Sequence, residues 1–263
     1  MDFQQIIDCF KAGDPISLAI VAVSILILIC SVVAIVISIY LAISYVKYNR
    51  KKNTCGLTGE QAARKILDAN GLQHIRVKAV GSILFGNSYS HYFKKVRLRR
   101  LTWKKQSVAS LAMAAQKSSL AVLDKEKDPD MKRRIRLVPI IDFGPFFFIP
   151  LLLIGIIADA LIYGKFGTFS LICAIVGLLF YLFSFILSLS VLKTEKKAQK
   201  RAIEILKENK MATGDEIEDM KSLFRLYNIE YVNNMILAML ELIYKVLQVV
   251  AVLQGNSSSS SNK

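Results

Sequence analysis

The sequence predicts a mainly α-helical, multi-pass membrane protein with four spans and a small, strongly basic α+β domain facing the cytoplasm. Three observations carry that prediction. Hydrophobic residues make up 54% of the 263 positions, above the roughly 45–50% usual for soluble domains. They are concentrated in long uncharged runs. Of the 35 lysines and arginines, 31 collect in two segments between those runs.

The first run, Ser17 to Val46, holds thirty consecutive residues without a charged side chain. As a helix it would extend roughly 45 Å at 1.5 Å per residue, whereas a hydrocarbon core of about 30 Å needs only about 20 residues. The span is therefore placed at 17–46, with 1–16 outside. A secretory signal peptide is excluded. Signal cores run only about 7–15 residues behind a basic start, and here Asp2, Asp8 and Asp14 outnumber Lys11.

Phe143 to Tyr163 carries one charge, Asp159, and Phe166 to Leu192 carries none. Only Gly164 and Lys165 separate them, so 143–163 and 166–192 are expected to form a transmembrane hairpin. A fourth span is placed at 230–254, although Glu241 and Lys245 lie within it. Their i,i+4 spacing sets them on one helix face, where they can pair. An amphipathic helix lying at the membrane surface is the competing reading of this segment. The Ser/Asn-rich tail 255–263 is low in complexity and is expected to be disordered.

The basic residues set the orientation. Residues 47–142 contain 22 of the 35 and 193–228 contain nine. Basic residues flanking spans stay inside, so 47–142 and the helices of 193–229 are expected in the cytoplasm and the N-terminus outside. The four cysteines, Cys9, Cys30, Cys55 and Cys173, form no C-x-x-C pair, so neither a disulfide framework nor a thiolate metal site is visible.

Within 47–142, Thr58-Gly-Glu-Gln61 has capping-box spacing. Ala62, Ala63, Ile66 and Leu67 then mark one helix face, and Asn70-Gly71 a stop. Ile75, Val77 and Ala79 alternate with charged residues, as do Val96 and Leu98 within 94–100, predicting two half-buried strands. A turn-rich loop is expected across 81–92. A second helix is expected over about 104–123, with Val108, Leu111, Ala115, Ser119 and Val122 on one stripe. A solvated loop over 125–130 should end it. In the second basic segment, Ala198, Ala202, Ile205 and Leu206 mark a helix that continues the third span. Thr213-Gly-Asp-Glu216 repeats the capping spacing before Ile217, Met220, Leu223 and Leu226.

This order of elements resembles the membrane-bound neutral zinc metallopeptidase family of bacteria. Thr58 through Leu72 is similar to the Thr-Gly-x-x-x-Ala-Arg-x-Ile-Leu-x-x-x-Gly-Leu stretch that follows the family's first span. Val96-Arg97-Leu98 resembles the strand after a family tyrosine, here Tyr89. Ser110 through Ala115 looks like the lead-in to the family's H-E-x-x-H helix. Glu195, Ala198, Arg201 and Ala202 are similar to the later E-x-x-A motif, whose glutamate would be the third metal ligand. The resemblance covers most of residues 17 to 250 and implies a zincin-like fold for the cytoplasmic domain.

The chemistry departs from that pattern. In H-E-x-x-H two histidines on one helix face bind zinc, and the glutamate is general base for the bound water. The matching positions here are Gln116, Lys117 and Leu120. Gln116 is a poor ligand, Leu120 has no donor atom, and Lys117 would repel the metal. The chain's two histidines, His74 and His91, fall in no paired motif, and catalytic zinc needs three protein ligands. Glu195 then reads as a helix-face acid among Lys196, Lys197 and Lys200, and Asp128 and Asp130 as solvated loop acids. No catalytic residue, metal or cofactor is expected.

The remaining signal is charge. Residues 47–142 carry seven acidic residues against the 22 basic ones. Lys94, Lys95, Arg97, Arg99, Arg100, Lys104 and Lys105 crowd twelve positions together with Trp103, the single tryptophan. Such a strip suits anionic lipid headgroups, with the indole at interfacial depth. A membrane or ribosomal partner is the competing reading, although no specific nucleic-acid motif is present. The sequence thus predicts a catalytically inactive homologue of a membrane zinc metallopeptidase, acting as a membrane scaffold or interaction protein. A residual membrane-associated peptidase, or a peptide-binding protein using the old cleft, is the alternative.

Overall fold

A computed structural model describes residues 15–81, 86–141, 143–163 and 168–260. The chain divides into two compact units. One is mixed α/β and comprises Val36–Leu137 with Leu189–Tyr231; the other is apolar and comprises Met1–Ile35, Val138–Ser188 and Val232–Lys263.

Helix α1 (Pro15–Arg50) contributes its C-terminal part to the mixed unit. There follow α2 (Gly59–Ala69), β1 (Arg76–Val80), β2 (Ser88–Ser90), β3 (Lys95–Arg99), a single turn α3 (Arg100–Lys104), α4 (Val108–Lys125) and α5 (Pro129–Ile141). The α2 start is the expected capping box: Thr58 Oγ1 accepts from the Gln61 amide, and Gln61 Oε1 accepts from the Thr58 amide. Its expected face, Ala62, Ala63, Ile66 and Leu67, is fully buried. Gly71, at φ +66°, lets the chain turn out of the helix in a conformation that L side chains resist. Gly59 is fixed by space instead, since a Cβ there would lie 2.0 Å from the Thr102 carbonyl oxygen.

The sheet has the order β1-β3-β2, with β1 parallel and β2 antiparallel to β3. Val96 pairs with Val77 on one side and Tyr89 on the other. Val96 and Leu98 are completely buried while Arg99 is exposed, the alternation a one-sided sheet requires. Strand β2 corrects the expectation of a continuous loop over 81–92. Three residues are too few for a periodic signal, and the strand exists because β3 offers it a free edge.

α4 is the core helix. It is capped by Ser107, whose Oγ accepts from the Ser110 amide, and starts at Val108, four residues after the expected start. The predicted stripe is buried, and so is nearly every other side chain of the helix, Gln116 and Leu120 among them. Alanines and serines on all sides let the neighbouring elements approach closely. The expected solvated turn ends α4, with Lys125, Glu126 and Lys127 exposed, but it is shorter than 125–130 because a helix already begins at Pro129. Asp128 caps α5, its Oδ1 accepting from the amides of Asp130 and Met131 at 3.0 and 3.1 Å, and Pro129 opens the helix.

α6 (Phe143–Tyr163), α7 (Thr168–Glu208) and α8 (Gly214–Ser260) complete the chain. Ala198, Ala202, Ile205 and Leu206 of α7 are buried in the core of the mixed unit, as are Ile217, Met220 and Leu223 of α8. The second capping box is present as well: Thr213 N–H donates to Glu216 Oε2, and the Glu216 amide to Thr213 Oγ1. Glu216 does more, also accepting from the amide and hydroxyl of Thr54 at 2.7 Å each. That staple ties the segment following α1 to the start of α8.

Among the described residues, three helices are long and apolar enough to cross a membrane: Pro15–Arg50, Phe169–Glu208 and Gly214–Ala251. Large apolar side chains such as Leu28, Ile35 and Leu179 stand exposed on them, the surface a lipid-facing helix presents. In the apolar unit, Asp159 of α6 is buried and accepts from the amides of Phe169 and Ser170 at 3.1 and 2.7 Å, so it caps α7. A Cβ on Gly155 would meet Ser170 Cα at 2.7 Å, so α6 and α7 pack backbone to backbone there. Glu241 of α8 accepts from the Tyr181 hydroxyl at 3.2 Å, and the Lys245 ammonium lies 5.4 Å from the centre of the Tyr181 ring. Asp159 is thus turned toward protein, whereas Glu241 is exposed beyond its contact with Tyr181. α8 is continuous to Ser260, into the tail expected to be disordered. The expected hairpin turn at 164–165, the external segment before Pro15 and Cys9 lie outside the described residues.

Candidate functional site

Glu195 lies on α7 just beyond the apolar run that ends at Leu192, facing the middle of α4. Its carboxylate is 16% exposed and has three donors. Gln116 Nε2 and Lys117 Nζ each donate to Oε2 at 2.9 Å, and Arg134 Nη2 donates to Oε1 at 3.0 Å. Lys117 and Arg134 are each 14% exposed, so the cluster is largely withdrawn from water. Glu195 is therefore no solvated helix-face acid. Its partners come from α4 and α5, not from the neighbouring Lys196, Lys197 and Lys200.

The electrostatics follow from that geometry. Burial pushes the Glu195 carboxyl up, but the charges of Lys117 and then Arg134, with their hydrogen bonds, outweigh it. The group is held below the usual glutamate range, as an anion between two cations.

Arg134 had no sequence signal as a site residue, because it sits in a run of basic residues flanking a span. What could have found it is the Asp128-Pro129 pair, an N-cap followed by proline at the first helical position. That pair starts a helix and puts Arg134 one turn in. The turn before α5 is fastened to α7: Lys197 pairs with Asp128, Lys193 Nζ lies 3.0 Å from Asp130 Oδ1, and Arg201 Nη2 lies 3.1 Å from Glu126 Oε1. Asp128 and Asp130 are thus ion-paired rather than solvated. Burial raises the Asp128 carboxyl, but Lys197 and two backbone donors hold it below its usual range.

The basic strip runs from the turn before β3 to the residue after α3. Lys94, at the turn into β3, sends its ammonium to 3.4 Å from His91 Nδ1 and 4.0 Å from Asp124 Oδ2. Lys95, Arg97 and Arg99 share one side of β3, and Lys95 lies 4.4 Å from the centre of the Phe93 ring. Arg100, Lys104 and Lys105 are exposed on and after α3. Trp103 is half-buried against the core cluster. His91 is no isolated loop histidine: its Nδ1 is 2.6 Å from Asp124 Oδ2, which also accepts from the Tyr89 hydroxyl at 2.6 Å.

Comparison with known proteins gives a context for the Glu195 cluster. The model of a family described as "Putative neutral zinc metallopeptidase" matches residues 23–250. Among curated proteins, the "Putative membrane protease YugP" of Bacillus subtilis (strain 168) is 23% identical over 204 residues, covering 78% of this chain and 86% of that one. No solved structure matches.

The family description implies zinc, and the residues around Glu195 do not fit it. A zinc site offers lone pairs from imidazole, thiolate or carboxylate to one point. Here Leu120 has none, Gln116 spends its amide N–H on Glu195, and both carboxylate oxygens are already engaged by cations. Among the described residues no group of three or more His, Cys, Asp or Glu converges elsewhere.

Proposed function

The chain belongs to the neutral zinc metallopeptidase family, and we propose that it is a catalytically inactive member serving as a membrane scaffold or interaction protein. The observation that carries this reading is the Lys117–Glu195–Arg134 cluster. Two monovalent side chains stand against the carboxylate that, in the family pattern, would face a divalent metal. They supply the positive charge Glu195 needs, so the fold keeps a satisfied carboxylate without an ion. The base position is spent too, since Lys117 is a cation held by its partner and cannot accept a proton from water.

The topology we propose has four spans, N-terminus outside. The packing of the mixed unit supports it. The segments 47–137 and 193–229, outside the proposed spans, belong to one compact unit and so share one side of any membrane. Between them the chain must cross an even number of times, so if α7 crosses, α6 crosses with it. The Asp159 cap and the close approach at Gly155 support such a hairpin. The excess of basic residues in 47–142 then places the mixed unit against an anionic cytoplasmic leaflet, with Lys95, Arg97, Arg99, Arg100, Lys104 and Lys105 as contacts.

The test of inactivity is direct. The purified full-length protein, in neutral detergent with added zinc, is incubated with unfolded protein and with peptide libraries. Cleavage should not exceed that of the Glu195→Gln variant and should not respond to a chelator. Chelator-sensitive turnover lost in Glu195→Gln would overturn the proposal.

A further inference from the structure

On the mixed unit, beyond the C-terminal end of the α4 face that meets Glu195, lies an open groove of about 580 Å³. It shares no residue with the Glu195 cluster. Its size is that of a small-molecule site, typically about 300–1,000 Å³. Five cationic side chains line it, namely Lys94, Lys125, Lys127, Lys132 and Arg136, against a single carboxylate, Asp124. Asp124 is only 13% exposed, and its Oδ2 is occupied by Tyr89 and His91. It braces the wall of the groove and leaves most of the positive charge uncompensated.

A further feature points to an anion. Lys127, Lys132 and Arg136 make no ion pair among the described residues, and Lys132 and Arg136 are i,i+4 neighbours on α5, an arrangement of like charges that destabilises a helix. Lys127 stands where α4 closes, its amide donating to the Asp124 carbonyl and the Asp128 amide to the Leu123 carbonyl, so its position beside the groove is fixed by the helix end.

We propose that this groove binds a phosphate-bearing anion. Several ammonium groups and one guanidinium around a concave surface suit the multiple charged oxygens of a phosphoryl group, which accept from both donor types. The phosphoryl group can belong to a lipid headgroup or to a soluble phosphate compound. The inference is independent of the Glu195 reading.

The experiment is isothermal titration calorimetry on the full-length protein in neutral maltoside micelles, with inorganic pyrophosphate and with dihexanoyl phosphatidic acid as probes. At least one probe should bind saturably at a single site. The pair Lys127→Gln and Arg136→Gln should weaken that binding at least tenfold, and Lys132→Glu should do so independently. Lys196→Gln with Lys200→Gln, exposed on α7 and outside the groove, should leave it unchanged. Phosphatidic acid binding at least tenfold tighter than pyrophosphate identifies the lipid headgroup as source, and comparable binding identifies a soluble phosphate; either result supports the site. No saturable binding of either probe, or equal binding by wild type and both groove variants, overturns it.

Discussion

Lys117 Nζ lies 2.9 Å from Glu195 Oε2, joining α4 to α7 across 78 residues of sequence. On the alignment proposed above, the lysine takes the general-base position of the family pattern and the glutamate a metal-ligand position. With Arg134 on the other carboxylate oxygen, the contact forms a structural joint among α4, α5 and α7, and the predictions concern that joint and its surroundings.

Removing Glu195 should be costly. Glu195→Ala leaves two largely buried cations without their partner, and breaking such a cluster costs about 3–5 kcal/mol. The thermal midpoint in detergent should fall by on the order of 10 °C. Replacing all three charges, with Lys117→Met, Arg134→Met and Glu195→Leu, should recover most of that loss, because apolar packing can replace a buried ion cluster. Equal midpoints for Glu195→Ala and the triple variant would count against the cluster as the cause.

Acid should weaken the joint. The folded-state pKa of Glu195 is held below its unfolded value, as is that of Asp128, so their stabilisation is present above the usual carboxylate range, about 3.9–4.3. It is lost as pH falls through the depressed folded values. The stability gap between wild type and Glu195→Gln, from thermal scans at pH 7 down to pH 3, should narrow toward the acid end. A constant gap would mean that Glu195 does not titrate with folding.

Rebuilding a metal site should need more than the motif. Gln116→His, Lys117→Glu and Leu120→His would supply two imidazoles, yet Arg134 would still hold Glu195 Oε1. A hydrogen bond to a charged group contributes about 1.5–3 kcal/mol, so adding Arg134→Ala should tighten zinc binding about tenfold or more. Competition with a chromogenic chelator can measure it, and equal affinity with and without Arg134→Ala would show that Arg134 is no obstacle.

The Thr54–Glu216 staple predicts a ranking. Glu216→Ala removes the acceptor for two Thr54 donors as well as for the Thr213 amide, whereas Thr213→Ala removes only a cap. A lost cap costs about 0.5–2 kcal/mol, and Glu216→Ala should exceed it clearly in thermal midpoint. The reverse order would show that the staple is not formed.

What was legible in the sequence is what local rules govern. Both capping boxes, the Ala62–Leu67 face, the Val96 and Leu98 alternation and the long apolar runs each depend on residues a few positions apart, and each appears in the fold. The Glu195 cluster joins residues 61 to 79 positions apart, and no periodicity reports such a meeting. Lys117 could be seen to spoil a metal site, but not to take Glu195 as its partner. Arg134 was hidden because basic residues beside a span already have a topological reason to be there. His91 and Asp124 were hidden by a loop whose short strand β2 has too few residues to read.

The four-span topology can be read by labelling. In intact cells, Ser88→Cys should be protected from an impermeant thiol reagent and Ser258→Cys should react. Reaction at position 88 would reverse the orientation, and protection at 258 would remove the last crossing.

The claim that side-chain cations stand where the family pattern has a metal is tested most directly by the zinc content of the purified full-length protein. Elemental analysis after purification without chelator, with zinc present during expression, should find well under one zinc per chain, unchanged by Glu195→Ala. About one zinc per chain, lost on Glu195→Ala, would contradict it.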